Sequence, residues 1–237
     1  MSDATRSSLP GYYAFVRSEI EPLLPARADH VLEVGCGQGG TLAWLKDSGI
    51  AARTTGIELD AASAAAARTC VDRLIEGDAE AAIDSLPAGS LDLVLCLDVL
   101  EHLVDPWRAM ARLARALRPG GSVIISVPNV RHYSVAFPLL WSGRWQYQEA
   151  GILDRTHLRF FTRDGAGALL TGAGLEPAGG IDTGLEVRRK RELWKPLLAR
   201  SAWRDLGVFQ FVMRGRKPAF AQTQSAPQLA PALGAAL

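Results

Sequence analysis

The segment Val31-Leu-Glu-Val-Gly-Cys-Gly-Gln-Gly-Gly40 passes from a short apolar run into a cluster of glycines. Val31, Leu32 and Val34 read as the end of a buried strand. The glycines, lacking a Cβ, let the backbone turn sharply and approach a ligand closely. A helix is expected from about Thr41. Strand, glycine loop and helix N-terminus together bring a bound small molecule against exposed backbone N–H groups.

Gly35, Gly37 and Gly40 also satisfy a dinucleotide-binding spacing, which by itself is a weak signal. Glu33, two positions before the first glycine, argues against it, because a carboxylate aimed at the loop repels a pyrophosphate. A cationic ligand would be attracted, and S-adenosylmethionine carries a sulfonium and an amino group but no phosphate. Glu33-Val-Gly-Cys-Gly37 resembles the first motif of the class I S-adenosylmethionine-dependent methyltransferases. The resemblance implies that Glu33, Gly35, Cys36 and Gly37 face the methionine end of that cofactor.

Bulk properties are those of an ordinary globular chain. At 237 residues it is long enough for one domain with a sizeable core. Its net charge of +1 makes no electrostatic case for nucleic acid. Cys36, Cys70 and Cys96 are odd in number and lack metal-ligand spacing, so reduced thiols and a cytoplasmic location are expected. Met1 to Pro10 has no apolar signal core, and no stretch has the length of a membrane span.

Along the chain, Tyr12, Val16, Ile20 and Leu23 recur at helical spacing, so residues 1–27 are read as a lead-in helix segment. Thr54 to Leu59 reads as strand two, with Glu58 at its carboxyl end, where a carboxylate can accept from both ribose hydroxyls. Asp60 caps an alanine-rich helix expected to reach Cys70. Leu74 to Ala79 reads as strand three and its exit. The family resemblance implies that Asp78 meets the adenine amino group and the Ala79 N–H a ring nitrogen; Leu59 and Leu97 complete the expected cofactor set. Leu91 to Leu97 is almost continuously apolar, as a parallel strand buried on both faces should be. Pro106 opens a helix whose core face is read as Trp107, Met110, Ala111, Ala114 and Leu117, ended by Arg118-Pro-Gly-Gly121. Val123 to Val127 is strand five. This alternation predicts an α/β fold with a parallel sheet, and the resemblance implies a Rossmann-like, doubly wound, seven-stranded, mostly parallel one. The resemblance implies a seventh strand antiparallel to the rest, and Phe209 to Met213 is the candidate.

Residues 130–163 interrupt the alternation and are read as a substrate lid after strand five, within a methyltransferase domain spanning 28–217. Tyr133, Phe137 and Trp141 lie four apart and could share a helical face despite Pro138. Arg131, His132, Tyr133, Arg144, Trp145, Arg155 and Arg159 are the expected acceptor contacts, since arginine forks suit anions and aromatic faces suit rings or sugars. Gly143 to Tyr147 and Gly151 to Thr162 resemble segments of small bacterial methyltransferases of surface-polysaccharide and glycan pathways. Asp98-Val-Leu-Glu-His-Leu103 resembles the corresponding motif of the ubiquinone- and menaquinone-biosynthesis-like branch. Arg188-Arg-Lys-Arg191 is a basic run on a helix whose apolar side is Leu193, Trp194, Leu197 and Leu198. It is read as a solvated face, with contact to an anionic membrane surface as the alternative. Residues 218–237 are expected to be a flexible tail.

Methyl transfer from a sulfonium mainly needs the acceptor positioned, and a hydroxyl acceptor benefits from a base. His157 and His102 are the expected bases, with Asp98 as orienter or alternative base; no metal is expected. The leading expectation is an S-adenosylmethionine-dependent methyltransferase that O-methylates an anionic, nucleotide- or lipid-linked sugar or glycan intermediate. The rivals are methylation of a quinone-like metabolite, a non-catalytic cofactor-binding regulator, and a nicotinamide oxidoreductase. The aromatic segment offers a homodimer surface as an alternative to a lid.

Overall fold

A computed structural model describes residues 15–184 and 201–219. Its frame is a seven-stranded sheet built from β1 (Ala28–Val34), β2 (Ala51–Glu58), β3 (Arg73–Glu76), β4 (Leu91–Leu97), β5 (Leu117–Pro128), β6 (Glu176–Thr183) and β7 (Gln210–Arg216). The order across the sheet is β3-β2-β1-β4-β5-β7-β6. Pairings among β1 to β5 are parallel, while β7 runs antiparallel to both β5 and β6. This is the Rossmann-like α/β arrangement expected from the alternation of strands and helices, with its reversed last strand.

Helices cover both faces: α1 (Gly40–Asp47), α2 (Ala61–Ala67), α3 (Ala79–Asp84), α4 (Pro106–Ala116), α5 (Tyr133–Ser142) and α6 (Arg163–Gly172). Alternation along each strand divides the core. Leu32, Val34, Val94 and Ile125 join Met110, Leu113 and Leu169 on one face. Val31, Leu93, Leu95 and Ile124 join Leu42, Leu45 and Ala67 on the other. β4 is buried at all of its positions, in keeping with its continuous apolar run. Helix starts follow the expected capping chemistry: Asp60, Asp105 and Thr162 each accept a backbone N–H from the first turn, at 2.8, 3.0 and 3.1 Å.

Several local expectations are corrected. The lead-in helix is a 3-10 turn, Ser18–Leu23, carrying Pro22 inside it, with Ile20 and Leu23 buried. Helix α2 ends at Ala67 rather than Cys70. Trp107 and Ala111 face solvent; the buried stripe of α4 is Pro106, Ala109, Met110, Leu113 and Ala114. Arg118 to Gly121 lies inside β5, where the register with β4 shifts, rather than in a loop. Helix α5 does run through Pro138 and leaves Tyr133, Phe137 and Trp141 exposed. Residues 1–14, the basic run Arg188–Arg191 with its apolar helix partners, and the tail from residue 220 lie outside the described residues. Among the described residues, no helix is long and apolar enough to cross a membrane.

Candidate active site

In the sheet order, β1 is followed on one side by β2 and β3 and on the other by β4. The carboxyl ends of these strands therefore open onto a crevice where the winding reverses. A cavity of about 1090 Å³ occupies it. All nine residues expected to bind cofactor line this cavity: Glu33, Gly35, Cys36, Gly37, Glu58, Leu59, Asp78, Ala79 and Leu97. The loop needs its glycines, since Gly35, Gly37 and Gly39 all have positive φ, at 71°, 54° and 81°. A Cβ on Gly39 would also stand 2.8 Å from Cys70 Sγ.

The carboxylates differ in how they are held. Glu58 is engaged twice: Oε2 accepts from the Gly37 N–H at 2.8 Å and Oε1 from the Asp60 N–H at 2.9 Å, so it ties the glycine loop to the end of β2. Asp78 caps α3, accepting from the Ala81 N–H at 2.9 Å, and its place in the lining is that of a capping residue at a cavity edge. Glu33 is buried, and its Oε2 has no hydrogen-bond partner among the described residues. Burial, reinforced by Glu58 and opposed by Arg17, pushes its carboxyl up to about 8. Burial also drives the Cys36 and Cys96 thiols upward, with Glu33 adding to both, so neither is a ready nucleophile.

Arg17 belongs to the site and was not among the expected residues. Its backbone N–H donates to Thr41 Oγ1 at 3.2 Å, and its guanidinium pairs with Asp98 and Glu19 and donates to Ser126 Oγ at 3.1 Å. Asp98 Oδ1 further accepts from Gln210 Nε2 at 2.6 Å and from Ser126 Oγ at 3.2 Å. Asp98 is thus the hub of a polar network at the end of β4, with the left-handed φ of 55° that turns the chain there. Nothing in the local sequence around Arg17 marks it, because its distant partners are Thr41 in α1, Asp98 just after β4 and Ser126 in β5.

Beyond Asp98, the 3-10 turn Leu100–His102 places Glu101 and His102 beside His157. The two imidazoles meet edge to face with centroids 4.8 Å apart. His102 lines the cavity together with Thr156, whereas His157 is buried behind it. His102 Nδ1 faces the Thr156 carbonyl at 3.2 Å and Thr156 Oγ1 at 3.1 Å; His157 Nδ1 faces the Ile152 carbonyl at 3.0 Å. Glu101 is almost wholly buried, neither of its carboxylate oxygens has a hydrogen-bond partner, and His157 Nε2 stands 4.0 Å from Oε1. Burial, with Asp98 nearby, holds this carboxyl well above the usual range. Glu101 was read only as part of a motif, and its link to His157 depends on a distant loop.

The expected acceptor residues are not gathered at the cavity. Arg131 lies 4.0 Å from Asp205, and Arg155 pairs with Glu149 at 3.3 Å. Arg159 donates to the Val104 carbonyl and stacks over Trp107, while Trp145 packs edge-on against Phe160. His132 caps α5 and packs between Tyr133 and Phe209, and Arg144 is exposed. Of the 130–163 segment, Thr156 is the residue that lines the cavity.

Comparison with known proteins agrees with this geometry. A family model described as a methyltransferase domain matches residues 10–178. The chain is similar to the ubiquinone biosynthesis O-methyltransferase of Thiobacillus denitrificans, with 34% identity over 115 residues, covering 46% of this chain and 49% of that protein. It is similar also to the protein of that name from Alkalilimnicola ehrlichii, with 36% identity over 121 residues, covering 46% of each. The chain spans about half the length of these curated relatives. A crystal structure of a SAM-dependent methyltransferase from Archaeoglobus fulgidus shares the fold at a TM-score of 0.64 and 16% identity, covering 85% of this chain and 91% of that one. The match over residues 10–178, on a sheet wound in this order, places the chain in the methyltransferase-domain family.

Proposed function

We propose that this chain transfers a methyl group from S-adenosylmethionine to a hydroxyl oxygen of a small ring-bearing acceptor. The observation that carries the reading is Glu33, a buried carboxylate with an unpartnered oxygen in the lining of the glycine-loop cavity. A pyrophosphate is repelled at that point, and an ammonium and sulfonium are attracted. Arg17 supplies a cation in the same lining for the methionine carboxylate. Glu58 keeps acceptor capacity for the ribose hydroxyls while it holds the loop. Asp78 uses Oδ1 for its cap, and its second oxygen serves the adenine amino group beside the Ala79 N–H. Leu59 and Leu97 add apolar surface. The cavity volume accommodates a cofactor and a small acceptor together.

In the transfer, the acceptor oxygen attacks the methyl carbon in line as the carbon–sulfur bond breaks. The sulfonium becomes a neutral thioether, and the hydroxyl proton leaves toward the Glu101–His102–His157 corner, where His102 faces the cavity. Asp98, committed to Arg17, Ser126 and Gln210, orients that corner.

Two acceptor readings rest on different observations. A sugar or glycan intermediate is supported by the likeness of 151–162 to glycan-pathway enzymes and by Thr156 of that segment reaching the cavity. A phenolic, quinone-precursor ring is supported by the similarity to ubiquinone biosynthesis O-methyltransferases. The reading goes with a cytoplasmic protein and with 130–163 as the cover of the acceptor. Calorimetric titration with S-adenosylmethionine, S-adenosylhomocysteine and NAD tests the cofactor. Binding of the two adenosyl-sulfur ligands is expected; binding of NAD alone would overturn the reading. Release of S-adenosylhomocysteine with a catechol acid or with a nucleotide sugar then separates the acceptors, and cofactor binding with no turnover on any acceptor would favour a regulator.

A further inference from the structure

We propose that Gln210 is a positioning residue for the carboxylate end of the cofactor: it holds Asp98 so that Arg17 keeps two N–H groups for the methionine carboxylate. Gln210 opens β7, in register with Pro128 of β5 and Thr183 of β6, so the reversed strand begins where β5 ends. Arg17, Asp98, Thr183 and Gln210 all line the cavity. Thr183 and Gln210 stand outside residues 10–178, the span that the family model matches.

A guanidinium carries five N–H donors. Among the described residues, those of Arg17 serve Glu19 through Nε, Asp98 through Nη1 and Ser126 Oγ through Nη2, which leaves two. Arginine–carboxylate pairs are frequently bidentate, with both oxygens on the guanidinium fork. Here the hydrogen bond from Arg17 reaches Oδ2 of Asp98, and Oδ1 is taken by Gln210 Nε2 at 2.6 Å and by Ser126 Oγ at 3.2 Å. A carboxylate only accepts, so the Gln210 amide presents its nitrogen to Asp98, and Thr183 Oγ1, 3.4 Å from Oε1, meets its other end. Ser126 cannot hold Oδ1 away from Arg17 by itself, because its hydroxyl accepts from Arg17 and moves with that pair. Gln210 is the anchor from a separate strand. Without its donor, Oδ1 turns onto the fork and fills an N–H that the cofactor needs.

Charge points the same way. Arg17 stands between two carboxylates, Asp98 and Glu19, and together they would repel a third. The hydrogen bonds from Gln210 and Ser126 draw charge from Asp98 and lessen that repulsion. The link from β7 to Arg17 stands on geometry; its purpose rests on the methyl-transfer reading.

The test uses the full chain and two ligands that differ in one group. S-adenosylmethionine and its decarboxylated form share the adenosine, the sulfonium and the amine, and only the first carries the carboxylate. Calorimetry gives both affinities. Wild type should prefer S-adenosylmethionine, and Arg17→Met should abolish that preference. Gln210→Met keeps the side-chain length and loses the donor. Its affinity for S-adenosylmethionine should fall about tenfold, with the decarboxylated form held within twofold of wild type. Gln210→Glu sets a second carboxylate against Asp98 and should lose at least as much, with the same selectivity. Unchanged S-adenosylmethionine affinity in Gln210→Met, equal losses for both ligands, or no preference in wild type would overturn the role and leave Gln210 a structural contact at the start of β7. Should Gln210→Met fail to fold by circular dichroism, Gln210→Asn, one methylene shorter, decides by the same ratio. A wild type that binds neither ligand would remove the cofactor reading and the role together. Binding of both ligands with no selective loss in the Gln210 variants would remove the role alone.

Discussion

A carboxylate buried beside a glycine loop is stabilised either by a proton or by a cation, and Glu33 is placed to exchange one for the other. Its folded pKa of about 8 lies above the ordinary 4.5. The native state therefore holds a proton between those values that the unfolded chain has released. Stability from this group is complete below about pH 4.5 and is lost as pH rises through about 8. The ligand-free protein should show a melting temperature that declines from pH 5 to 8, and Glu33→Gln should flatten that decline. Arg17, Glu58 and Thr41 are the groups that act on Glu33. Cofactor binding should expel close to one proton per site at pH 7, read from calorimetry in buffers of different ionisation enthalpy. An unchanged proton count in Glu33→Gln would remove Glu33 from the ammonium role. Glu58 makes a separate prediction. Glu58→Ala leaves the Gly37 and Asp60 N–H groups without their acceptor, so S-adenosylhomocysteine affinity should fall about tenfold or more, with about 1–3 kcal/mol lost from stability. Both carboxylates were visible at their motif positions. That Glu58 spends its oxygens on the loop, while Glu33 leaves one open, depends on distances between β1, β2 and α1.

Elements are legible in the sequence where local chemistry marks them and less so where a neighbour decides. Helix α4 announces its start through Asp105 and Pro106, yet its inward face was placed one position off. Met110 and Ala114 belong to both stripes, and Trp107 is large and apolar enough to suggest the wrong one. Trp107 is instead exposed, with the Arg159 guanidinium carbon 5.8 Å from its ring centroid. Arg118-Pro-Gly-Gly121 carries strong breakers, but β7 draws it into the sheet. The Gly120 N–H donates to the Lys217 carbonyl at 2.9 Å, the Lys217 N–H donates to the Gly121 carbonyl at 2.8 Å, and Lys217 Nζ donates to the Leu117 carbonyl at 2.7 Å. Two substitutions test the packing of elements. A Cβ on Gly56 would enter Cys36 Sγ and stand 3.1 Å from Leu74 Cδ1, so Gly56→Ala should destabilise by about 1–3 kcal/mol in denaturant titration. Cys36→Ala in the same chain should recover part of that loss. Thr162→Ala, which removes the cap of α6, should cost about 1 kcal/mol; an unchanged denaturation midpoint would mean that water replaces the hydroxyl fully.

At the scale of the whole molecule, the winding of the sheet makes the cavity. Because the chain lays β1, β2 and β3 outward and then returns to place β4 on the other side of β1, the ends of β1, β2 and β4 share one crevice. A ligand bound there bridges segments far apart in the chain and should stabilise it globally. S-adenosylhomocysteine at a hundred times its Kd should add about 2.7 kcal/mol, or roughly 5–10 °C in melting temperature, and NAD should add nothing. Equal shifts with both ligands would remove the discrimination assigned to Glu33. The sequence by itself determined the alternating α/β order, and the family resemblance carried on its motifs pointed to the reversed last strand and to nine residues that line the cavity. Those depend on the period of apolar residues, on glycines that alone tolerate the loop's φ values, and on short spacings within single strand–loop–helix units. Only the tertiary structure decided the rest. Arg17 meets Asp98, Glu101 meets His157, Arg131 lies beside Asp205, and Arg155 pairs with Glu149. These contacts join residues from different elements, and which side chains meet across them is set by how the layers pack on the sheet, a relation that no local pattern in the chain encodes.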